Sequence, residues 1–223
     1  MRSLFRLILL SSLFVVTFGT VVRSQTAIDD DDTQSWNDLQ LTVKLNAHFD
    51  LTTKLTGRFG RNISRLNDGR YQIGFVWKPT KSISVSPFYW FVYARNAAGK
   101  FTVENRLNLA VTYKFPVKSF GLSHRSWYEY RVKASGNSWR YRPSLTFEKA
   151  LPEKFLSKAK FFITEEPFYV STTRKFSRNR LSLGISKVIN NHLTLDVYYL
   201  RQNDGYSHPG DLNVLGTSWK FHL

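Results

Sequence analysis

The sequence predicts an all-β chain, an antiparallel up-and-down barrel that crosses an outer membrane. Three observations carry this. Apolar and polar residues alternate with period two in run after run, and no 3.6-residue apolar periodicity persists after Gln25. Aromatic residues make up 16% of the chain and gather at the ends of those runs rather than at their centres. At the C-terminus Leu215, Thr217, Trp219, Phe221 and Leu223 fall on one face, with Gly216, Ser218, Lys220 and His222 on the other. A strand with an apolar outer face that ends with the chain is the expected last strand of such a barrel.

The N-terminus reads as an export signal. Arg2 and Arg6 precede an apolar run from Leu7 to Val22, and Val22-Arg23-Ser24 leads to an expected cleavage near Ser24/Gln25. The alternative is an uncleaved anchor, but the run is near or below the ~20 residues a spanning helix needs. Residues 1–24 are therefore the expected signal peptide, 25–35 an acidic segment, and 36–223 the barrel. Asp29 to Asp32 either meet interior arginines or form a solvated tail.

The strand-like runs follow in order. Trp36 to Asn46 puts Leu39, Leu41, Val43 and Leu45 on one face, and Asp38, Gln40, Thr42 and Lys44 on the other. Next come Leu51 to Arg61, Arg70 to Lys78, Ile83 to Arg95, Phe101 to Lys114 and Gly121 to Lys133. Trp139 to Lys149, Lys158 to Tyr169, Arg178 to Ile189, Leu193 to Gln202 and Leu212 to Leu223 complete the set. Pro79-Thr80-Lys81, Phe115 to Lys118 and Asn190-Asn191-His192 read as tight turns. Asn62 to Gly69, Asn96 to Lys100, Ala134 to Ser138, Val170 to Ser177 and Asn203 to Gly210 read as polar, longer loops. Tight turns on one rim and longer loops on the other is the membrane-barrel arrangement.

This gives about eleven runs, whereas bacterial single-chain barrels are even-numbered. Twelve strands are expected, from a further strand within or just before Asp32 to Trp36; merging two runs would give ten. The other way to accommodate an odd count is for Gln25 to Ser35 to thread the interior.

Trp77, Tyr113, Phe147, Trp219 and Phe221 lie near the tight turns, and Tyr169 and Tyr199 near the longer loops. Leu107, Leu109, Leu183 and Leu195 hold the strand centres. Two aromatic girdles around an aliphatic band match a bilayer, whose headgroup layers favour amphipathic rings.

The opposite faces are charged. Arg58, Arg70, Glu104, Arg106, Glu129, Arg131, Arg140, Arg142, Glu148, Glu166, Arg180 and Asp196 are the expected lumen residues. Glu104 and Arg106, and Glu129 and Arg131, stand two apart on one strand face, so neighbouring strands can pair carboxylate with guanidinium. Such a network either plugs and braces the barrel or forms an anion-attracting constriction.

The net charge is +16 and there is no Cys. Export argues against nucleic acid as the acidic partner; lipopolysaccharide phosphates and anionic solutes remain. No disulfide or thiolate metal site is available. The five histidines show no metal-ligand spacing, and no metal or cofactor is expected. His124-Arg125-Ser126 has residue types found in serine hydrolases but no evident third member. An enzyme acting on lipid or lipopolysaccharide is therefore only an alternative, as is a soluble periplasmic β-sandwich or lipocalin-like binder.

Several short motifs resemble those of an uncharacterised bacterial family, domain of unknown function 2490. They are Asp32-Thr33-Gln34-x-Trp36, Trp127-x-Glu129-x-Arg131, Arg140-Tyr141-Arg142 and Glu166-Pro167-Phe168-Tyr169. Arg178-Asn179-Arg180 with Gly184, Leu195-x-x-Tyr198-Tyr199 and Asn213-Val214-Leu215-Gly216 follow. The resemblance spans the mature chain and implies an outer-membrane β-barrel of a Gram-negative bacterium. It implies no activity and no catalytic residues. The reading is a small structural or channel-type barrel with a charged lumen. Its expected partners are outer-membrane lipid, lipopolysaccharide and, through Leu215 to Leu223, the barrel-assembly machinery.

Overall fold

The computed structural model describes residues 31–96 and 98–223. The expected signal peptide, and the part of the acidic segment up to residue 30, lie outside them. Every regular element among the described residues is a strand: β1 (Asp32–Lys44), β2 (Phe49–Gly60), β3 (Arg65–Trp77), β4 (Ile83–Arg95), β5 (Phe101–Lys114), β6 (Gly121–Lys133), β7 (Ser138–Ala150), β8 (Ala159–Val170), β9 (Lys175–Asn190), β10 (Leu193–Asp204) and β11 (Leu212–His222). Each strand hydrogen-bonds to its chain neighbours, and β1 closes on β11, giving one closed barrel.

Ten of the pairings are antiparallel hairpins, whereas β1 and β11 run parallel, from Asp32 beside Leu212 to Thr42 beside His222. The expected twelve strands, with ten as the alternative, are thus corrected to eleven. Leu223 N–H donates to Thr42 O at 2.9 Å and Lys44 N–H to Leu223 O at 2.9 Å, so the seam leaves no slot for another strand. The barrel also begins at Asp32 rather than at Trp36.

Both seam strands run from one rim to the other. We call the rim where β1 begins the upper one; it carries the connections 61–64, 96–100, 134–137, 171–174 and 205–211. The lower rim carries 45–48, 78–82, 115–120, 151–158, 191–192 and the C-terminus. The polar stretches 62–69 and 170–177, expected as loops, are largely strand: β3 starts at Arg65 and β9 at Lys175. The two rims therefore have connections of similar length. Strand ends at a barrel rim face water on both sides, so they carry polar residues that look like loop.

The strands tilt strongly. One hydrogen-bonded row steps from Ala94 at the upper rim through Asp68, Arg58, Trp36, Gly216, Tyr198, Gly184, Phe162 and Glu148 to Gly121 at the lower rim. Such stagger is what closing a sheet requires.

Alternation sorts the side chains. Outside, Leu39, Leu55, Ile73, Leu107, Leu109, Leu145, Leu183, Val197 and Leu215 are all exposed. Trp77, Tyr113, Tyr199, Trp219 and Phe221 are exposed on the same outer face, with Phe147 and Tyr169 half-buried there. Outer aromatics stack across strands: Tyr128, Trp139, Tyr169 and Phe176 form a chain with successive ring centres 5.7, 5.4 and 5.5 Å apart. Lower down, Phe120 packs on Phe147 at 5.1 Å and Phe49 on Trp77 at 6.4 Å.

Candidate functional site

The interior holds two small apolar clusters and, between them, charge. Trp36, Leu200, Leu212 and Val214 form one cluster, with Tyr198 against it. Trp90, Val92, Ala110 and Trp127 form the other. Phe88, Trp90 and Trp127 meet edge to face, with ring centres 5.2–5.6 Å apart. Each indole N–H is bonded to an amide oxygen: Trp36 to Gln34 at 2.8 Å, Trp90 to Gln72 at 2.5 Å and Trp127 to Asn108 at 2.9 Å. Buried indoles keep such partners because an unmet N–H is costly.

The charged centre is Glu129 on β6, which is 0% exposed. Four guanidinium groups surround it: Arg106 at 3.4 Å, Arg142 at 3.3 Å, and Arg131 and Arg140 each at 3.6 Å. Glu104 on β5 takes Arg106 at 3.1 Å and also pairs with Arg131. Glu166 on β8 takes Arg142 at 2.9 Å and Arg125 at 2.7 Å. Arg142 thus bridges two carboxylates, and its guanidinium lies 3.6 Å from the Trp127 ring centre and 4.4 Å from that of Phe168. Charges removed from water are costly unless paired, and stacking on aromatic rings adds to the pairing here.

The remaining expected lumen residues are placed as follows. Arg70 pairs with Asp68 on its own strand. Arg180 donates Nε–H to Gln202 Oε1 at 2.8 Å. Arg58 lies with its guanidinium carbon 3.6 Å from the Trp36 ring centre. Asp196 is buried lower down and accepts from Lys220 Nζ at 2.5 Å. Glu148 sits at the lower rim with its side chain 42% exposed, opposite Lys160 at 3.9 Å, apart from the central network. The stagger explains this: Glu148 shares a row with Arg58 yet lies at the other end of the barrel.

Sequence reasoning did not single out Arg125, Asp68, Asp204, Lys54 or the three buried tryptophans as interior residues. Period two could have found Trp127, which shares a face with Glu129 and Arg131, and Trp36, which shares one with Asp38.

Of the four aspartates 29–32, two are described. Asp31 pairs with Arg201 at 3.1 Å on the upper rim. Asp32 is buried and accepts backbone N–H groups from Arg61 at 2.9 Å and Asn62 at 2.8 Å. Neither meets the central arginines.

His124 and Ser126 lie on the outer face of β6, with Nε2 3.1 Å from Oγ, and Ser126 also meets the Tyr141 hydroxyl at 3.0 Å. Among the described residues no carboxylate or amide is bonded to His124 Nδ1 to orient it as a base.

No curated protein matches the chain. Among solved structures the chain is similar to the NanC porin in a rhombohedral crystal form, with 11% sequence identity and a TM-score of 0.49, covering 84% of this chain and 95% of that one. A family model described as "Protein of unknown function (DUF2490)" matches residues 33–213, which takes in every central arginine and glutamate described above, and the chain belongs to that family.

Proposed function

We propose that this chain is an outer-membrane β-barrel whose interior is braced and narrowed by its arginine–glutamate network, a structural or narrow channel-type protein rather than a wide pore. The observation that carries the reading is the inverted barrel: an outer face of exposed aliphatics between aromatic clusters, around an interior centred on the fully buried Glu129. A barrel in water would put the apolar face inside; a barrel in lipid must turn it outward. Strands of 11–16 residues are long enough, since about 10 residues tilted by ~45° cross the hydrocarbon. The single closed sheet is not a sandwich, and its charged interior does not suit a lipocalin-like pocket.

On this reading the signal peptide is removed near Ser24/Gln25 and the outer face meets lipid and lipopolysaccharide. Leu215 to Leu223, which carries Trp219 and Phe221, would serve as the assembly signal. Cell fractionation with heat-modifiable gel migration tests the placement; recovery in the soluble periplasm would overturn it. Single-molecule conductance in planar bilayers tests the narrowing. The expected result is little or no ion current, and a steady current of open-porin size would overturn that part alone.

A further inference from the structure

Arg58 and Arg180 differ from the other interior arginines named above, because among the described residues neither forms a salt bridge with a carboxylate. Arg58 makes no hydrogen bond among the described residues, and its Nε is buried without a partner. The only hydrogen bond of Arg180 there runs to the neutral Gln202. Both guanidinium groups lie on one indole, 3.6 Å and 4.8 Å from the Trp36 ring centre. That indole is held in place, since its N–H is tied to Gln34 and Gln34 in turn donates to Asp32 at 2.8 Å.

Tyr198 completes the surroundings. Its ring packs against the Trp36 cluster and lies over Gly216, where an added Cβ would come within 2.0 Å of it. Its hydroxyl donates no hydrogen bond among the described residues. The carboxylates around the pair are already engaged: Asp38 with Thr56 at 2.5 Å and Lys54 at 3.4 Å, Asp68 with Arg70, and Glu166, across the β8–β9 pairing from Arg180, with Arg142 at 2.9 Å and Arg125 at 2.7 Å. Two cations on one ring repel each other, and burial strengthens that repulsion. The groups able to relieve it are anions, and a guanidinium fork favours one that offers two oxygens side by side.

We propose that Arg58 and Arg180, with Trp36 as the floor and the Tyr198 hydroxyl beside it, form a binding site for a small solute oxyanion inside the barrel. The ligand class is a phosphate, or a solute bearing a carboxylate. The site belongs to the barrel interior and does not depend on the membrane placement proposed above.

The test uses the full chain refolded in detergent and titrated calorimetrically with inorganic phosphate, with sodium chloride at matched ionic strength as reference. Saturable phosphate binding is expected. Arg58→Gln and Arg180→Gln should each weaken it about tenfold or more, the loss expected for one charged hydrogen bond. Arg201→Gln, at the upper rim with Asp31 and Asp211, should leave it unchanged. If a glutamine variant does not fold, Arg58→Lys and Arg180→Lys keep the charge and remove the fork, and should still bind more weakly. Absence of saturable binding to the unmodified chain overturns the proposal. So does binding that survives substitution of both arginines.

Discussion

Glu129 shows how a single side chain can decide whether the interior holds together. It carries one negative charge among four guanidinium groups and has no exposed surface. Glu129→Gln keeps the shape and removes the charge. The guanidiniums then lose their common counter-ion, and stability should fall by about 3 kcal/mol, the usual cost of breaking a buried ion pair from one side. Urea unfolding in lipid vesicles measures it, and an unchanged midpoint would show that Glu104 and Glu166 suffice. Glu165 makes the opposite case. It points outward, in register with Leu145 and Leu181, and among the described residues its exposed carboxylate accepts only from Asn179, at 2.6 Å. If the outer face meets lipid, Glu165→Leu should stabilise the refolded barrel by about 1 kcal/mol in bilayers. Lower stability for that variant would argue that Glu165 faces a protein or water. The sequence placed Glu129 and Glu166 on the charged face by alternation alone. It could not rank them, because which carboxylate is ringed by arginines depends on strand stagger.

Among elements, the 61–64 connection shows how a local conformation is held from a distance. Arg61, Asn62 and Ile63 have φ of 53°, 54° and 65°, a left-handed run that L-residues adopt at a cost. Asp32 accepts the N–H groups of the first two, and Thr33 O accepts that of Ile63 at 3.1 Å. Asp32→Ala should therefore cost about 2 kcal/mol and raise hydrogen exchange at Arg61 and Asn62 before that of the strands. Strand-like exchange at those amides in the variant would contradict this. On β11, Gly216 leaves room for the Tyr198 ring. Gly216→Val should displace the ring and destabilise the barrel by about 2 kcal/mol through overpacking, read from the same unfolding curves. The sequence marked Asp32 as one of four acids and part of a family-like motif, and Gly216 as a polar-face position in the last strand and the end of another such motif. Their roles rest on partners in other hairpins.

For the whole molecule, the parallel seam has a consequence for orientation. β1 and β11 both descend to the lower rim, so Asp31 and the C-terminus lie at opposite ends. If the C-terminal strand ends in the periplasm, Asp31 belongs to the outer surface. The chain has no Cys, so single cysteines report cleanly. Asp31→Cys and Gly136→Cys should react with an impermeant maleimide on intact cells. Asn191→Cys should react only after the outer membrane is opened; the reverse pattern would invert the barrel. Phe221, beside Leu41 and Leu193 at the lower end of the seam, should matter for assembly. Phe221→Ala is expected to lower the membrane-inserted fraction, and normal insertion would count against Leu215 to Leu223 as the assembly signal.

Alternation by itself determined the central stretch of each strand and its two faces, though not the polar strand ends at Arg65 and Lys175, because the period-two geometry of a strand is local and survives any arrangement of neighbours. It also put charge on the face opposite the aliphatics, as in Glu104-x-Arg106 and Glu129-x-Arg131. The strand count, the parallel seam and the meeting of Arg142 with both Glu129 and Glu166 were decided only in the closed barrel. Closure fixes the stagger between strands, and stagger decides which residues of one face lie at the same height. That is why Glu148 and Arg58, equivalent by pattern, stand at opposite ends, and why two arginines come to share one tryptophan.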